Sequence, residues 1–235
     1  MRFRSAATAV VVFATAMAYM ESAVVVYLQR ALGITPDRLF PLENGAVVGN
    51  LAAIEVGREF ATLVMLGAVG WMLGHSLVER LAWTSVAFGV WDIGYYIWLW
   101  IFIGWPHTPA TWDVLFLIPI PWAGPVWAPT AVSAALIGFG LAAARRAGQG
   151  RSPRVRPVHA AAAVGGGAIV IASFAANAPA LIAGEMPGWF PWPVFAAGMG
   201  LACWAAVASL RAGSSAGTVL AVDNRPNLGG RAVTR

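Results

Sequence analysis

Glu55-Val56-Gly57-Arg58-Glu59-Phe60-Ala61-Thr62 sets three full charges inside residues 46–73, a run otherwise apolar enough to read as a membrane-spanning helix. At about 3.6 residues per turn, Glu55, Arg58, Glu59 and Thr62 share one helical face. Charge is costly at that depth, and in membrane proteins it marks a site or a pathway. The rest of the chain reads as an envelope for this face.

The bulk composition supports the membrane reading. Of 235 residues, 59% are hydrophobic and only 11% charged, against about 25% charged in a soluble domain. The mean hydropathy is +0.71. One cysteine, Cys203, excludes an internal disulfide and a thiolate metal cluster.

Working outward, residues 6–28 form the first span. The run exceeds the 7–15 residues of a signal-peptide core and meets the ~20 needed to cross a bilayer, so it is expected to be a retained helix. It carries Glu21. Residues 29–45 read as a polar loop with two prolines. Gly45 and Gly49, and Gly70 and Gly74, have the spacing that lets helices approach closely. A third span over residues 81–103 puts Asp92, Tyr95 and Tyr96 on one face.

The fourth span, residues 113–144, is expected to be broken. Pro119, Pro121, Pro125 and Pro129 rule out regular helix there. A helix resuming at Thr130 and ending at Ala144 covers only about 22 Å of a core about 30 Å thick. Part of the proline segment is therefore expected within the membrane, buried in protein or lining a wet cavity. Spans five and six follow at residues 158–183 and 192–210. The fold expected is an all-α membrane protein with six transmembrane helices in one unit, residues 1–212, and a disordered tail, residues 213–235.

Arginine sets the orientation. With the N-terminus in the cytoplasm, twelve of the 15 arginines fall on that side, only Arg30 and Arg38 face out, and Arg58 is in the membrane. This positive-inside bias places both termini in the cytoplasm. It explains the net charge of +5 through topology and anionic lipid rather than nucleic acid. Trp98, Trp100, Trp105, Trp112, Trp122, Trp127, Trp189 and Trp192 then gather at the outer ends of their spans and read as an interfacial belt.

The same map brings the acids to one depth. Glu21, Glu55, Glu59, Asp92 and Asp113, the last opening the proline segment at the outer surface, converge with Arg58 on the outer half of the bundle, near Tyr95 and Tyr96, with Asn177 at a matching depth in the fifth span and Ser173 one turn below it. Five carboxylates face one guanidinium. Ionised carboxylates in a low-dielectric interior cost several kcal/mol each, so some are protonated, or a cation sits among them, or water reaches them. A plainer reading is a clamp, with Arg58 bridging carboxylates from three helices to fix their packing. A hard divalent cation would suit Glu21, Glu55, Glu59 and Asp92. Zinc and redox iron fit poorly, because the chain has no Glu-x-x-His pair and only His107 maps to the outer side. Gly165-Gly166-Gly167 lacks the Gly-Lys-Ser/Thr of a phosphate loop, and no haem, flavin, nucleotide or serine-nucleophile motif is present.

Four segments carry a family likeness: the run beginning Glu21-Ser22-Ala23, the run beginning Glu55-Val56-Gly57-Arg58, Trp91-Asp92-Ile93-Gly94-Tyr95-Tyr96, and Thr111-Trp112-Asp113 with the prolines that follow. They resemble bacterial multi-pass inner-membrane proteins of unassigned function. The resemblance spans roughly residues 15–130 and implies a six-helix bundle in the bacterial inner membrane, with no activity attached. Three functions fit the residues. The leading one is binding of a cation or protons coupled to a small solute. The second is a membrane-embedded enzyme with a carboxylate pair as acid and base. The third is an accessory or assembly subunit, which implies other membrane subunits as partners alongside the lipid bilayer.

Overall fold

The computed structural model describes residues 3–33, 45–151, 153–183, 185 and 187–214. Six of its helices are long and apolar enough to cross a membrane, and the chain is consistent with a multi-pass integral membrane protein. In order the elements are α1 (Phe3–Leu32), α2 (Gly45–Leu73), α3 (Leu77–Ile103), β1 (Trp112–Phe116), β2 (Trp122–Pro125), α4 (Trp127–Ala147), α5 (Pro157–Ala175), α6 (Ala178–Ile182) and α7 (Trp192–Ser214). Most of the segment expected as a disordered tail, residues 215–235, lies outside the described residues, as do residues 34–44 of the loop with two prolines.

The hub is α3, which packs against α1, α2 and α4. It joins α2 through a three-residue turn. Ser76 accepts from the Glu79 N–H at 3.2 Å, and the Glu79 carboxylate accepts from the His75 N–H at 2.9 Å, a reciprocal cap that starts α3 at Leu77, four residues before the expected edge. Gly70 and Gly74 lie against this turn. A Cβ on Gly70 would meet the Arg80 carbonyl at 2.5 Å, and one on Gly74 the Arg80 nitrogen at 2.3 Å, so both must stay bare for the hairpin to close. Across the hub, the fully buried Ser22 donates to the Ala18 carbonyl at 2.8 Å and the Tyr95 carbonyl at 3.0 Å, tying α1 to α3.

The second unit is α5 against α7. Gly166 and Gly198 form the crossing, where a Cβ on Gly166 would sit 2.7 Å from the Gly198 carbonyl. At the arginine-rich end His159 and Ser209 meet at 3.3 Å, and the Arg146 guanidinium donates to the Leu210 carbonyl, joining α4 to α7.

One expectation about the spans needs correction, the extent of the fourth. The proline-rich segment is non-helical as expected, and it takes the form of a β-hairpin: β1 and β2 pair antiparallel, with Asp113 opposite Gly124 and Phe116 opposite Trp122. Prolines that cannot donate a ladder hydrogen bond fall in the turn and at the strand end. α4 then begins at Trp127, with Pro129 in its first turn, where a missing N–H costs nothing. Its 21 residues rise about 31 Å, so α4 needs no help from the proline segment to cross. The fifth span, expected over residues 158–183, is found over Pro157–Ile182 as α5 plus the short α6, with a turn at Ala176 and Asn177 ahead of Pro179.

The hairpin lies between the two units. Gly124 packs under the rings of Phe174 and Phe190, where a Cβ would come within 2.9 Å. Trp112, Leu115 and Trp122 cover a core of Ala128, Val170, Phe174, Phe190 and Phe195. The tryptophans at this end therefore divide. Trp100, Trp127 and Trp189 are exposed and suit an interfacial belt, whereas Trp105 is buried and Trp98, Trp112 and Trp122 pack partly inside.

Candidate functional site

α2 buries one stripe only. Glu59, Thr62, Leu66 and Val69 are buried, Glu55 and Arg58 are partly covered, and Ile54, Phe60, Val64, Met65 and Met72 on the other faces are exposed. The spacing puts the charged face on α1 and α3 because the remaining faces are apolar and belong to lipid.

Arg58 sits at the junction. Its guanidinium forms an ion pair with Glu21 of α1 and a two-pronged contact with Glu55 one turn before it, in which Nε lies 3.0 Å from Oε2. The Thr62 hydroxyl donates to the other Glu21 oxygen at 3.2 Å. The clamp thus joins two helices, where carboxylates from three were considered; Asp92 is not part of it.

The other three acids have neutral partners. Glu59 accepts from the Leu117 N–H in the hairpin turn, at 2.9 and 3.1 Å to its two oxygens. Asp92 accepts from the Ser133 hydroxyl of α4 at 2.8 Å. Asp113 accepts from the Tyr96 hydroxyl at 2.9 Å. These acids are 7%, 8% and 8% exposed in turn, so all three are largely shielded from bulk water. Asp113, expected to open its segment at the surface, is instead inside. Burial pushes its carboxyl up to about 7, against the Tyr96 and Val114 hydrogen bonds that favour the ionised form.

Tyr95 and Tyr96 meet edge-on at 5.1 Å. Arg58, Glu55, Asp92 and Asp113 all act electrostatically on Tyr95, which places it at the centre of the acidic layer. Glu21, Glu55, Arg58, Glu59, Asp92, Tyr95, Tyr96 and Asp113 are therefore brought together by α1, α2, α3, the hairpin and α4. Asn177 and Ser173 are not part of this layer. Asn177 donates to the Trp189 carbonyl at 3.0 Å, and Ser173 to the Val170 carbonyl at 2.6 Å, so both serve the α5–α7 unit.

The carboxylates considered for a divalent cation are spread over separate partners. Glu21 and Glu55 engage Arg58, Glu59 engages Leu117, and Asp92 engages Ser133. Among the described residues no group of three or more His, Cys, Asp or Glu side chains is placed to hold a metal ion.

The structure adds partners that sequence reasoning missed. Ser133 is one of two hydroxyls in the apolar run of α4, with Thr130, and nothing in its spacing singled it out. Leu117 contributes a backbone N–H and has no side-chain signal at all. Trp91 and Trp122 belong to an aromatic group with Phe88 and Phe116, and both indole N–H groups are buried with no hydrogen-bond partner among the described residues. Each such orphaned donor costs about 1–3 kcal/mol. The fold and site define a six-helix, multi-pass membrane protein with a buried polar layer. No protein-family model, curated protein or solved structure matches this chain.

Proposed function

We propose that the acidic layer binds and releases protons, coupled to the passage or binding of a small solute, in a bacterial inner-membrane protein with both termini cytoplasmic. The observation that carries this reading is the pairing of Asp92 with Ser133 and of Asp113 with Tyr96. A hydroxyl donates to a carboxylate and equally accepts from a carboxylic acid. Each pair therefore keeps its hydrogen bond in either protonation state, whereas the Leu117 N–H can only donate and suits Glu59 as an anion. Among the described residues no basic side chain pairs with Asp92 or Asp113, and Arg58 is engaged by Glu21 and Glu55.

The solute half of the reading draws on the unpartnered Trp91 and Trp122 indoles. A polar molecule among these rings would accept from donors that otherwise go unsatisfied. The orientation draws on the arginine bias, and the membrane on the resemblance of residues 15–130 to bacterial multi-pass proteins.

Infrared difference spectra of the reconstituted protein between acid and alkaline buffer test proton binding. The carbonyl band of protonated carboxyl groups should titrate, and Asp92→Asn and Asp113→Asn should each remove part of it. No titrating band would sink the proposal. Reporter fusions at Pro109 and Arg235 check the topology and should report opposite sides.

A further inference from the structure

The cavity at the arginine-rich end, opposite the acidic layer, lies between the start of α1 and the end of α4. It measures about 470 Å³ and is lined by Phe3, Arg4, Ser5, Arg145, Gly148 and Gln149. That is within the ~300–1,000 Å³ of ligand pockets. We propose that it holds the phosphate headgroup of an anionic phospholipid from the adjoining leaflet.

Two exposed arginines from different helices line one cavity, and among the described residues neither Arg4 nor Arg145 forms an ion pair. Countercharge is scarce at this end. Glu79 is the acid that the described helices carry there, and it is taken up by the His75 N–H at 2.9 Å. Planar guanidinium forks match phosphate oxygens in pairs, and the Ser5 hydroxyl and Gln149 amide add neutral donors. The location favours a lipid over a soluble anion. The helices carrying both arginines are long and apolar enough to cross a membrane, which would set the cavity at their ends at headgroup level. Below Arg4, α1 exposes Val11 and Val12, an apolar track for an acyl chain. Phe3 packs on Trp83 at 5.7 Å and gives the cavity an apolar wall.

The test uses the full chain, purified and delipidated in detergent, with phosphatidylglycerol or phosphatidylcholine added and adducts counted by native mass spectrometry. Phosphatidylglycerol should bind and phosphatidylcholine should not. The double variant Arg4→Gln/Arg145→Gln should weaken binding roughly 30-fold, the ordinary membrane attraction of one arginine taken twice. Arg154→Gln/Arg156→Gln, two exposed arginines outside the cavity, should change it far less. Equal losses in the two doubles would overturn the proposal in favour of a diffuse basic rim. Competition by millimolar inorganic phosphate would overturn it in favour of a soluble anion. Should the first double variant not fold, Ser5→Trp sets a large ring in the cavity with both arginines in place. It must weaken phosphatidylglycerol binding, and unchanged binding refutes the site.

Discussion

Removing the Arg58 side chain is the sharpest perturbation the structure offers. Its guanidinium is the cation bonded to Glu21 and Glu55, so Arg58→Ala strands two partly buried carboxylates and leaves α1 tied to α2 there only by Thr62. Deleting one partner of a buried ionic group costs about 3–5 kcal/mol. For a chain of 150–250 residues each kcal/mol moves the melting point by about 2–4 °C, so the fall should be roughly 6–20 °C in detergent. Arg58→Lys should recover only part, because an ammonium cannot reproduce the two-pronged contact with Glu55 while holding Glu21. Glu55→Gln should cost less, at most about 3 kcal/mol for a charge-assisted hydrogen bond, since Glu21 stays paired. The triple variant Arg58→Met/Glu21→Gln/Glu55→Gln should regain most of the loss, because no stranded charge is left. Circular dichroism melts of the set decide it. An Arg58→Ala melt no lower than that of Glu55→Gln, or a triple variant as unstable as Arg58→Ala, would refute the clamp.

The remaining expectations concern other contacts. Asp113, held near 7 by burial against an ordinary value of 3.8, binds a proton in the folded state over a range where the unfolded chain has released it. Its contribution to stability is full below the unfolded value and is lost as pH rises through the folded one. Detergent melts should therefore fall between about pH 4 and 7, and Asp113→Asn should flatten that slope; an unchanged slope would assign it elsewhere. Glu59→Ala should release the hairpin turn, seen as faster hydrogen exchange across residues 117–121, while Glu59→Gln keeps an acceptor for Leu117 and should leave exchange slow. Gly166→Ala should lower stability by about 1–3 kcal/mol through overpacking, because its Cβ meets backbone of α7; a neutral effect would mean that the crossing yields easily.

The six helices were legible because apolar runs of span length leave little else for the chain to do. The charged face of α2 was legible too, since i, i+3 and i+4 spacing set Glu55, Arg58, Glu59 and Thr62 together, and the arginine map put Glu21 and Asp92 at their depth; the contact made is with Glu21. The hairpin was not. Four prolines announced the end of helix, but proline spacing does not separate irregular backbone from a two-stranded ribbon, and strand pairing depends on partners distant in sequence. The start of α3 was written in Ser76-Leu77-Val78-Glu79, a capping box that hydropathy alone passes over. Ser133 and Leu117 stayed hidden for different reasons. One is a common small residue given meaning by Asp92 on another helix, and the other acts through backbone, which every residue possesses.

The charged stripe of α2 also bears on how the chain is made. On insertion scales each charge near a helix centre costs about 2.5–3.5 kcal/mol, against gains of about 0.3–0.6 for each large apolar residue. With Glu55, Arg58 and Glu59, this span has the lowest mean hydropathy of the six, 1.3. Leaving the translocon alone, it would sit close to balance between bilayer and water. The short capped turn at residues 74–76 lets α2 enter as a helical hairpin with the more apolar α3, while α1, made earlier, presents Glu21 to Arg58. Biogenesis therefore couples three spans, and a chain truncated before α3 should leave α2 partly uninserted.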